Sequence, residues 1–203
     1  MDSKKIFKLL SNDGFKDPDT GNLFFPVYIY HYDVNEEHTV NKEIINLKEQ
    51  LARPSHHLDN LHIHIWDDIM SFFKDKQFGK FTFLELIQRK ESKGEDVTPW
   101  VRQHLFDEKN GYFVHLKNKI QTHFKEGDIS LKPYILVNGF TEAYPYIRPG
   151  EFLKNVESYT TEFKLILFYP GEVQGETFYL FGELESENIY RANLLNQMIE
   201  NAD

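Results

Sequence analysis

The chain has 203 residues, of which 40% are hydrophobic, 15% aromatic and 27% charged, and its formal net charge is -9. A chain of this length buries about 70% of the surface that it exposes when unfolded, so we expect residues 1–203 to form a single domain. The absence of cysteine excludes disulfides, thiolate metal ligands and cysteine nucleophiles. The acidic balance opposes direct nucleic-acid binding, because sequence-independent affinity depends on cationic contacts to phosphate.

Targeting signals and membrane segments are not evident in the sequence. The amino-terminal stretch MDSKKIFKLL begins with charge but has no apolar run of signal-peptide length. Nowhere do about eighteen uncharged apolar residues follow one another, as a membrane span would require. We therefore expect a soluble, cytoplasmic protein without membrane contacts. Two short basic stretches, residues 74–80 and 88–93, are interrupted by acids and are interpreted as solvated helix faces.

The apolar periodicity changes repeatedly between about two and about 3.6 residues, which is the pattern of strands alternating with helices. We predict five strands, at residues 24–33, 61–66, 133–140, 163–173 and 177–184. The third and fourth are almost continuously apolar, as is typical of strands covered on both faces. The predicted fold class is α/β, with a single wound, mostly parallel sheet of about five strands.

The connections between the strands predict how they pair. An amphipathic helix follows the first strand and ends before Pro54, and its apolar stripe consists of Val40, Ile44, Leu47 and Leu51. Such a crossover makes the first two strands parallel. The last two strands are separated only by PGEVQG, whose glycines can adopt positive φ, so we predict a carboxyl-terminal antiparallel hairpin at a sheet edge. Pro170 agrees with an edge or a bulge.

Residues from about 68 to 130 show no strand pattern and are predicted to form a helical insertion between the second and third strands. Thr82 and Glu85 have the spacing of a capping box, and Thr98 with Pro99 is interpreted as an N-cap and first helical residue. A later apolar stripe consists of Phe113, Leu116, Ile120 and Phe124. Such an insertion could serve as a lid, a partner-binding surface or a cover for the sheet.

The stretch LHIHIWDD contains the residue types of a metal site. Side chains two positions apart on a strand point to the same side of it. His62 and His64 could therefore share an ion with Asp67. The hydrolase pattern H-x-H-x-D-H, however, would need Asp at 66 and His at 67, where this chain has Trp and Asp. We instead interpret the histidines as the polar face of a strand, and Asp67 or Asp68 as the cap of a helix that starts at Ile69. No metal site is therefore predicted, and His62, His64 and Asp67 remain the alternative.

Recognised catalytic and nucleotide-binding motifs are absent from the sequence. No two glycines are separated by a single residue, and the position of the first P-loop glycine before Gly79-Lys80 holds Lys74. No serine lies in G-x-S-x-G. We assign no catalytic residue and no cofactor. The alternative left open is a nucleotide- or metal-dependent enzyme with a crevice at the carboxyl ends of the strands, near Asp33, Asp67, Asn138 and Tyr169.

The carboxyl half carries a more specific pattern. An apolar strand ends in a glycine and is followed by a Tyr-Pro pair and an arginine, and then come LILFYPG, a second glycine, LFG and a Tyr-Arg pair. The positions concerned are Gly139, Tyr144, Pro145, Arg148, Tyr169, Pro170, Gly171, Gly175, Gly182, Tyr190 and Arg191. This combination resembles the BrxB family of BREX bacteriophage-exclusion systems. YIYHYDVNEEHTV and LHIHIWDDIM extend the resemblance, more weakly, towards the amino terminus.

The resemblance implies a small accessory protein of an antiphage defence operon that also encodes a methyltransferase, a large ATPase and the alkaline-phosphatase-like protein PglZ. It implies a non-catalytic assembly role through protein–protein contact, with PglZ as the expected partner. The shared positions are expected to be structural or interface residues, with Arg191 forming an ion pair. The chain departs from the family at Asn138, where a hydroxyl residue is expected, and in a polar tail from Asn193 onwards.

Overall fold

The computed structural model describes residues 1–17, 26–56, 58–124, 133–175, 177–185 and 192–201. Its strands are β1 (Val27–Tyr32), β2 (Asn60–His64), β3 (Gln77–Phe78), β4 (Phe81–Thr82), β5 (Tyr134–Asn138), β6 (Lys164–Gln174), β7 (Thr177–Leu180), β8 (Leu184–Glu185) and β9 (Asn193–Leu194). Its helices are α1 (Ser3–Leu10), α2 (Asp13–Lys16), α3 (Glu37–Leu51), α4 (Ile65–Asp75), α5 (Phe83–Glu91), α6 (Thr98–Leu105), α7 (Tyr112–Phe124), α8 (Phe140–Ala143), α9 (Pro149–Val156) and α10 (Leu195–Glu200). This alternation confirms the α/β class.

The main sheet is parallel and has the strand order β2-β5-β6-β1-β9. The predicted wound parallel sheet is therefore confirmed. β1 and β2 are parallel to each other, but β6 and β5 lie between them, so α3 must cross two strands to join them. The segment from Asn193 is not merely a polar tail, because β9 pairs with β1 and the helix after it buries Leu195 and Ile199.

The antiparallel hairpin of the carboxyl half is confirmed, with β7 paired to the last four residues of β6, Gly171–Gln174. The first part of β6 lies in the centre of the main sheet, between β5 and β1. The hairpin therefore extends from the end of a central strand. Its two glycines adopt positive φ, 156° at Gly171 and 63° at Gly175. A Cβ at Gly171 would lie 2.2 Å from the carbonyl oxygen of Tyr179, so this position requires glycine.

The sheet separates two apolar cores, because side chains alternate along each buried strand. On β1, Val27 and Ile29 face one core while Tyr28 and Tyr32 face the other. The first core contains apolar residues of α4 to α9, and the second contains those of α1, α2, α3 and α10. Helices therefore cover both faces of the strands, as the continuous apolar runs predicted. The predicted α3 stripe is completely buried in the second core.

The region between β2 and β5 is mainly helical, as predicted, and Thr82 forms the predicted capping box with Glu85. The predicted cap at Thr98 is wrong, because Thr98 is the first helical residue and Val97 precedes the helix. The region also contains a short antiparallel hairpin, β3–β4. Each of its strands has only two residues, which is too short to show a periodicity in the sequence. None of the helices described here is long and apolar enough to cross a membrane.

Candidate functional site

The candidate site lies at the carboxyl edge of the parallel strands, where the segments after β1 and β5 lead to opposite faces of the sheet. Tyr32 ends β1, Glu37 begins α3, and Thr141 lies in the first turn of α8. The Tyr32 hydroxyl and the Thr141 hydroxyl each donate to Glu37 Oε2, both at 2.7 Å. Open α/β sheets bind ligands in such a crevice. Here a carboxylate and two hydroxyls of the chain itself join its two sides.

Burial and the neighbouring Glu37 carboxylate raise the pKa of the Tyr32 phenol, so its hydroxyl stays protonated and acts as a donor. The other carboxylate oxygen, Glu37 Oε1, is buried and has no hydrogen-bond partner among the described residues. An unpaired carboxylate oxygen costs free energy when water is excluded from it. The two strong hydroxyl bonds to Oε2 offset this cost.

A second chain of hydrogen bonds crosses the same edge. His62 Nε2 lies 2.7 Å from Asn138 Oδ1, and Asn138 Nδ2 donates to Asn41 Oδ1, also at 2.7 Å. An amide oxygen only accepts, so His62 must carry its proton on Nε2. Burial lowers the pKa of His62, which favours this neutral form. The completely buried Asn138 thus ties β2 to α3 across β5. We call Tyr32, Glu37, Asn41, His62, Asn138 and Thr141 the crevice network.

His64 lies beside the crevice network and contacts Gly139, the residue between β5 and α8. Gly139 has a φ of 83°, and a Cβ there would come within 2.8 Å of the His64 ring. His64 Nδ1 is 3.1 Å from Asp67 Oδ2 in a geometry that makes no hydrogen bond. Its Nε2 is 3.9 Å from Glu142 Oε1. The absence of a side chain at Gly139 therefore leaves room for the His64 ring, while the Asp67 side chain is 78% exposed and the Glu142 side chain 38% exposed.

Two predictions about LHIHIWDD need correction. The strand ends at His64, α4 begins at Ile65, and neither Asp67 nor Asp68 is its N-cap. Both aspartates lie in the first turn, where negative charge is favourable to the helix dipole. His62 Nε2 is used in the crevice network, and the part of the chain that is described contains no group of three or more His, Asp or Glu suited to a metal ion.

Of the residues predicted to line the crevice, the network contains only Asn138. Asp33 instead accepts hydrogen bonds from the backbone and side chain of Asn35, and Tyr169 packs in the core with its ring 5.4 Å from Phe178. Glu37 and Thr141 were not predicted. Their signal in the sequence is position alone, since each lies at the start of a helix that follows a parallel strand.

Several of the positions that carry the family resemblance converge from two separate segments. The Tyr144 ring meets the Phe181 ring edge-on at 5.4 Å, and the Arg148 guanidinium lies 5.7 Å from the centre of the Tyr144 ring. The Phe181 backbone N–H donates to the carbonyl of Pro170 at 2.9 Å, although Phe181 has an unfavourable φ of 60°. Together with Gly171, these residues form what we call the signature corner. Tyr190 and Arg191 lie outside the described residues.

The remaining positions of the family resemblance lie in turns or at unusual backbone geometry. The peptide bond between Tyr144 and Pro145 is cis, and the backbone N–H of Gly182 donates to the Tyr179 carbonyl at 3.0 Å. Gly175, in the β6–β7 turn, has open space around it.

Two helices of the insertion, α4 and α7, are joined through a buried carboxylate. Asp68 of α4, with a side chain only 6% exposed, accepts a hydrogen bond from the Tyr112 hydroxyl at 2.9 Å and pairs with the Lys119 ammonium. Both partners belong to α7. Burial and the carboxylate raise the pKa of Tyr112, so the hydroxyl remains a donor. The acidic first turn of α4 therefore fixes α7 against it.

Fold and site together define an open α/β protein with a wound parallel sheet, helices on both faces, and a carboxyl-edge crevice bridged by its own side chains. The family model described as "BREX protein BrxB" matches residues 61–195. A protein described as BREX protein BrxB, from Bacillus cereus (strain H3081.97), is 23% identical over 168 residues, which cover 81% of this chain and 80% of that protein. The chain belongs to the BrxB family and is a component of a BREX antiviral defence system. No solved structure matches it significantly.

Proposed function

We propose that the chain is a non-catalytic assembly component of its BREX system, and that it acts by binding other BREX proteins, with PglZ as its main partner. The observation that carries the proposal is the crevice network. At the place where an α/β enzyme would hold a ligand, two hydroxyls donate to the Glu37 carboxylate, and an imidazole and two amides bond in a second set, all at 2.7 Å. A substrate would have to break these bonds before it could use the same groups.

The network also fits a role in rigidity. It joins three strands of the sheet, β1, β2 and β5, to two helices that pack on opposite faces of the sheet, α3 and α8. Elements held in this way present a fixed surface to a partner, and a rigid surface binds with a smaller entropic cost. The signature corner lies at the end of β6 and supplies a further set of fixed aromatic and cationic side chains.

A second candidate function is a metal- or nucleotide-dependent enzyme with a site at this edge. One observation favours it: the buried Glu37 Oε1 has no hydrogen-bond partner among the described residues. The two candidates make opposite predictions for a purified sample.

The test is a pull-down of the chain with each of its operon neighbours, with elemental analysis of the same sample. The assembly role predicts a stoichiometric complex with PglZ and no bound metal. Absence of any BREX partner, together with about one equivalent of zinc or manganese that is lost from a His62→Ala, His64→Ala variant, would overturn it in favour of the enzyme.

A further inference from the structure

The insertion exposes an aromatic residue in a basic environment. Phe78 lies in the β3–β4 hairpin and is 37% exposed, which is unusual for a large apolar side chain in this structure. Lys80 lies two residues further on and is also exposed. Phe81, which pairs with Phe78 across the hairpin, carries the Arg89 guanidinium 3.7 Å above its ring. We call Phe78, Lys80, Phe81 and Arg89 the hairpin patch.

The charge around the hairpin patch is opposite to that of the whole chain. Residues 74–93 contain six basic and three acidic side chains, within a chain whose net charge is -9. The hairpin brings together the two basic stretches that lie apart in the sequence, because Arg89 of α5 stacks on Phe81 of β4. Arg89 of the second stretch is thereby placed beside Phe81, the residue that follows Lys80 of the first stretch.

Several charged side chains near the hairpin patch already have partners within the chain. The others are available to bind a second protein. Lys90 pairs with Glu95 at 2.6 Å, the Lys76 ammonium donates to the Asn110 carbonyl, and Glu85 accepts from Thr82 in the capping box. Lys80, by contrast, has no hydrogen bond or ion pair within the described part of the chain. Arg89 places the face of its guanidinium on Phe81 and lies near the Glu85 carboxylate without hydrogen-bonding to it, so its N–H edges can still bind a carboxylate.

We propose that the hairpin patch is the docking surface for an acidic segment of a BREX protein, with Phe78 packing against an apolar side chain of that segment and Lys80 and Arg89 binding its carboxylates. This inference rests on the proposed assembly function. An exposed aromatic residue flanked by cations has the composition of an interface anchor with a polar rim. The chemistry favours a short acidic peptide over nucleic acid, because the patch supplies few cations and the rest of the chain would repel an extended polyanion.

The test compares two matched double variants. Phe78→Ala with Lys80→Glu alters the hairpin patch, and Ile45→Ala with Lys42→Glu makes the same kinds of change on the exposed face of α3, where Ile45 is 48% exposed. Both variants change the net charge equally. Affinity for PglZ and the other purified BREX proteins is measured by biolayer interferometry. We expect about a tenfold or greater loss for the patch variant and no change for the α3 variant. Lys80→Glu alone disturbs no buried contact and should reproduce part of the loss.

The partner chemistry is tested separately with a photo-crosslinking residue at position 78, and at position 45 as the control, in cells that express the whole operon. An adduct from position 78 with an acidic segment of a BREX protein supports the inference. An adduct with nucleic acid overturns it. Equal binding of both double variants to a BREX partner overturns it as well, while leaving the assembly role intact. If the unaltered chain binds no BREX protein, the proposed function fails, and the inference that rests on it fails too.

Discussion

If the crevice network has a structural role, its loss should destabilise the protein, whereas the loss of a ligand site should not. Asn138 is completely buried and forms two hydrogen bonds of 2.7 Å, so Asn138→Ala removes both. Each neutral hydrogen bond contributes about 1 kcal/mol net, and a buried group left without its partner costs about 1–3 kcal/mol more. His62 and Asn41 are only partly buried, so water can replace part of what they lose.

We therefore expect Asn138→Ala to lower the free energy of unfolding by about 2–4 kcal/mol. The measurement is urea unfolding at pH 7, followed by circular dichroism. Asn46→Ala is the matched control, because Asn46 is exposed on α3 and its replacement should change stability by no more than about 0.5 kcal/mol. Residues that serve a ligand often cost stability, and their replacement can raise it. An unchanged or increased free energy of unfolding in Asn138→Ala would refute the structural reading of the network.

Three further predictions concern the β6–β7 hairpin, the insertion and the histidine of the crevice network. Gly171→Ala should lower the free energy of unfolding by about 2–4 kcal/mol because its Cβ meets a backbone oxygen, whereas Gly175→Ala, with open space but positive φ, should cost about 1–2 kcal/mol. Asp68→Ala should cost about 2–4 kcal/mol in urea unfolding, because Tyr112 and Lys119 lose their common partner. Burial lowers the pKa of His62 below 6.5, so the unfolded chain binds more protons there and stability should fall as pH drops from about 7 to 5.

Each of these predictions has an outcome that contradicts it. Equal effects of the two glycine substitutions would mean that β7 does not approach β6 at Gly171 as closely as described. An Asp68→Ala variant as stable as the parent would show that α7 does not depend on the carboxylate. For the pH effect, His62→Gln should reduce the slope of stability against pH and His38→Gln, on an exposed position, should leave it unchanged; identical slopes in all three proteins would rule out His62 as the source.

Much of the fold could be predicted because hydrophobic periodicity reports directly on burial. The α3 stripe and the apolar runs of β5 and β6 are buried as predicted. The position of β6 in the sheet could not be predicted in the same way. A parallel central strand and an antiparallel hairpin strand are one continuous element here, and the glycine and proline between its two parts were interpreted as an edge.

The candidate site was predictable in location but not in composition. Fold class alone points to the carboxyl ends of the strands, and Asn138 was expected there. The partners of Asn138 come from α3 and β2, which are distant in sequence, and no local pattern links Glu37 to Thr141 across about a hundred residues. Spacing along one strand correctly gave LHIHIWDD a polar face, but it could not show that His62 Nε2 would lie 2.7 Å from Asn138 Oδ1.

The hairpin patch also could not be predicted from the sequence. Residues 74–80 and 88–93 each look like ordinary solvated surface in the sequence, because acids interrupt them. Their proximity becomes visible only when the β3–β4 turn is known, and that turn is too short for a periodic signal. Surfaces built from short irregular elements are therefore the least predictable part of a chain such as this one.

The most direct test of the central claim is the mass of the complex formed when the chain and PglZ are co-expressed and separated by size-exclusion chromatography with light scattering. The assembly role predicts one peak that contains both proteins in a fixed ratio and persists on dilution to micromolar concentration. Two separate peaks at the masses of the individual proteins, with the same result for the other BREX proteins, would contradict it.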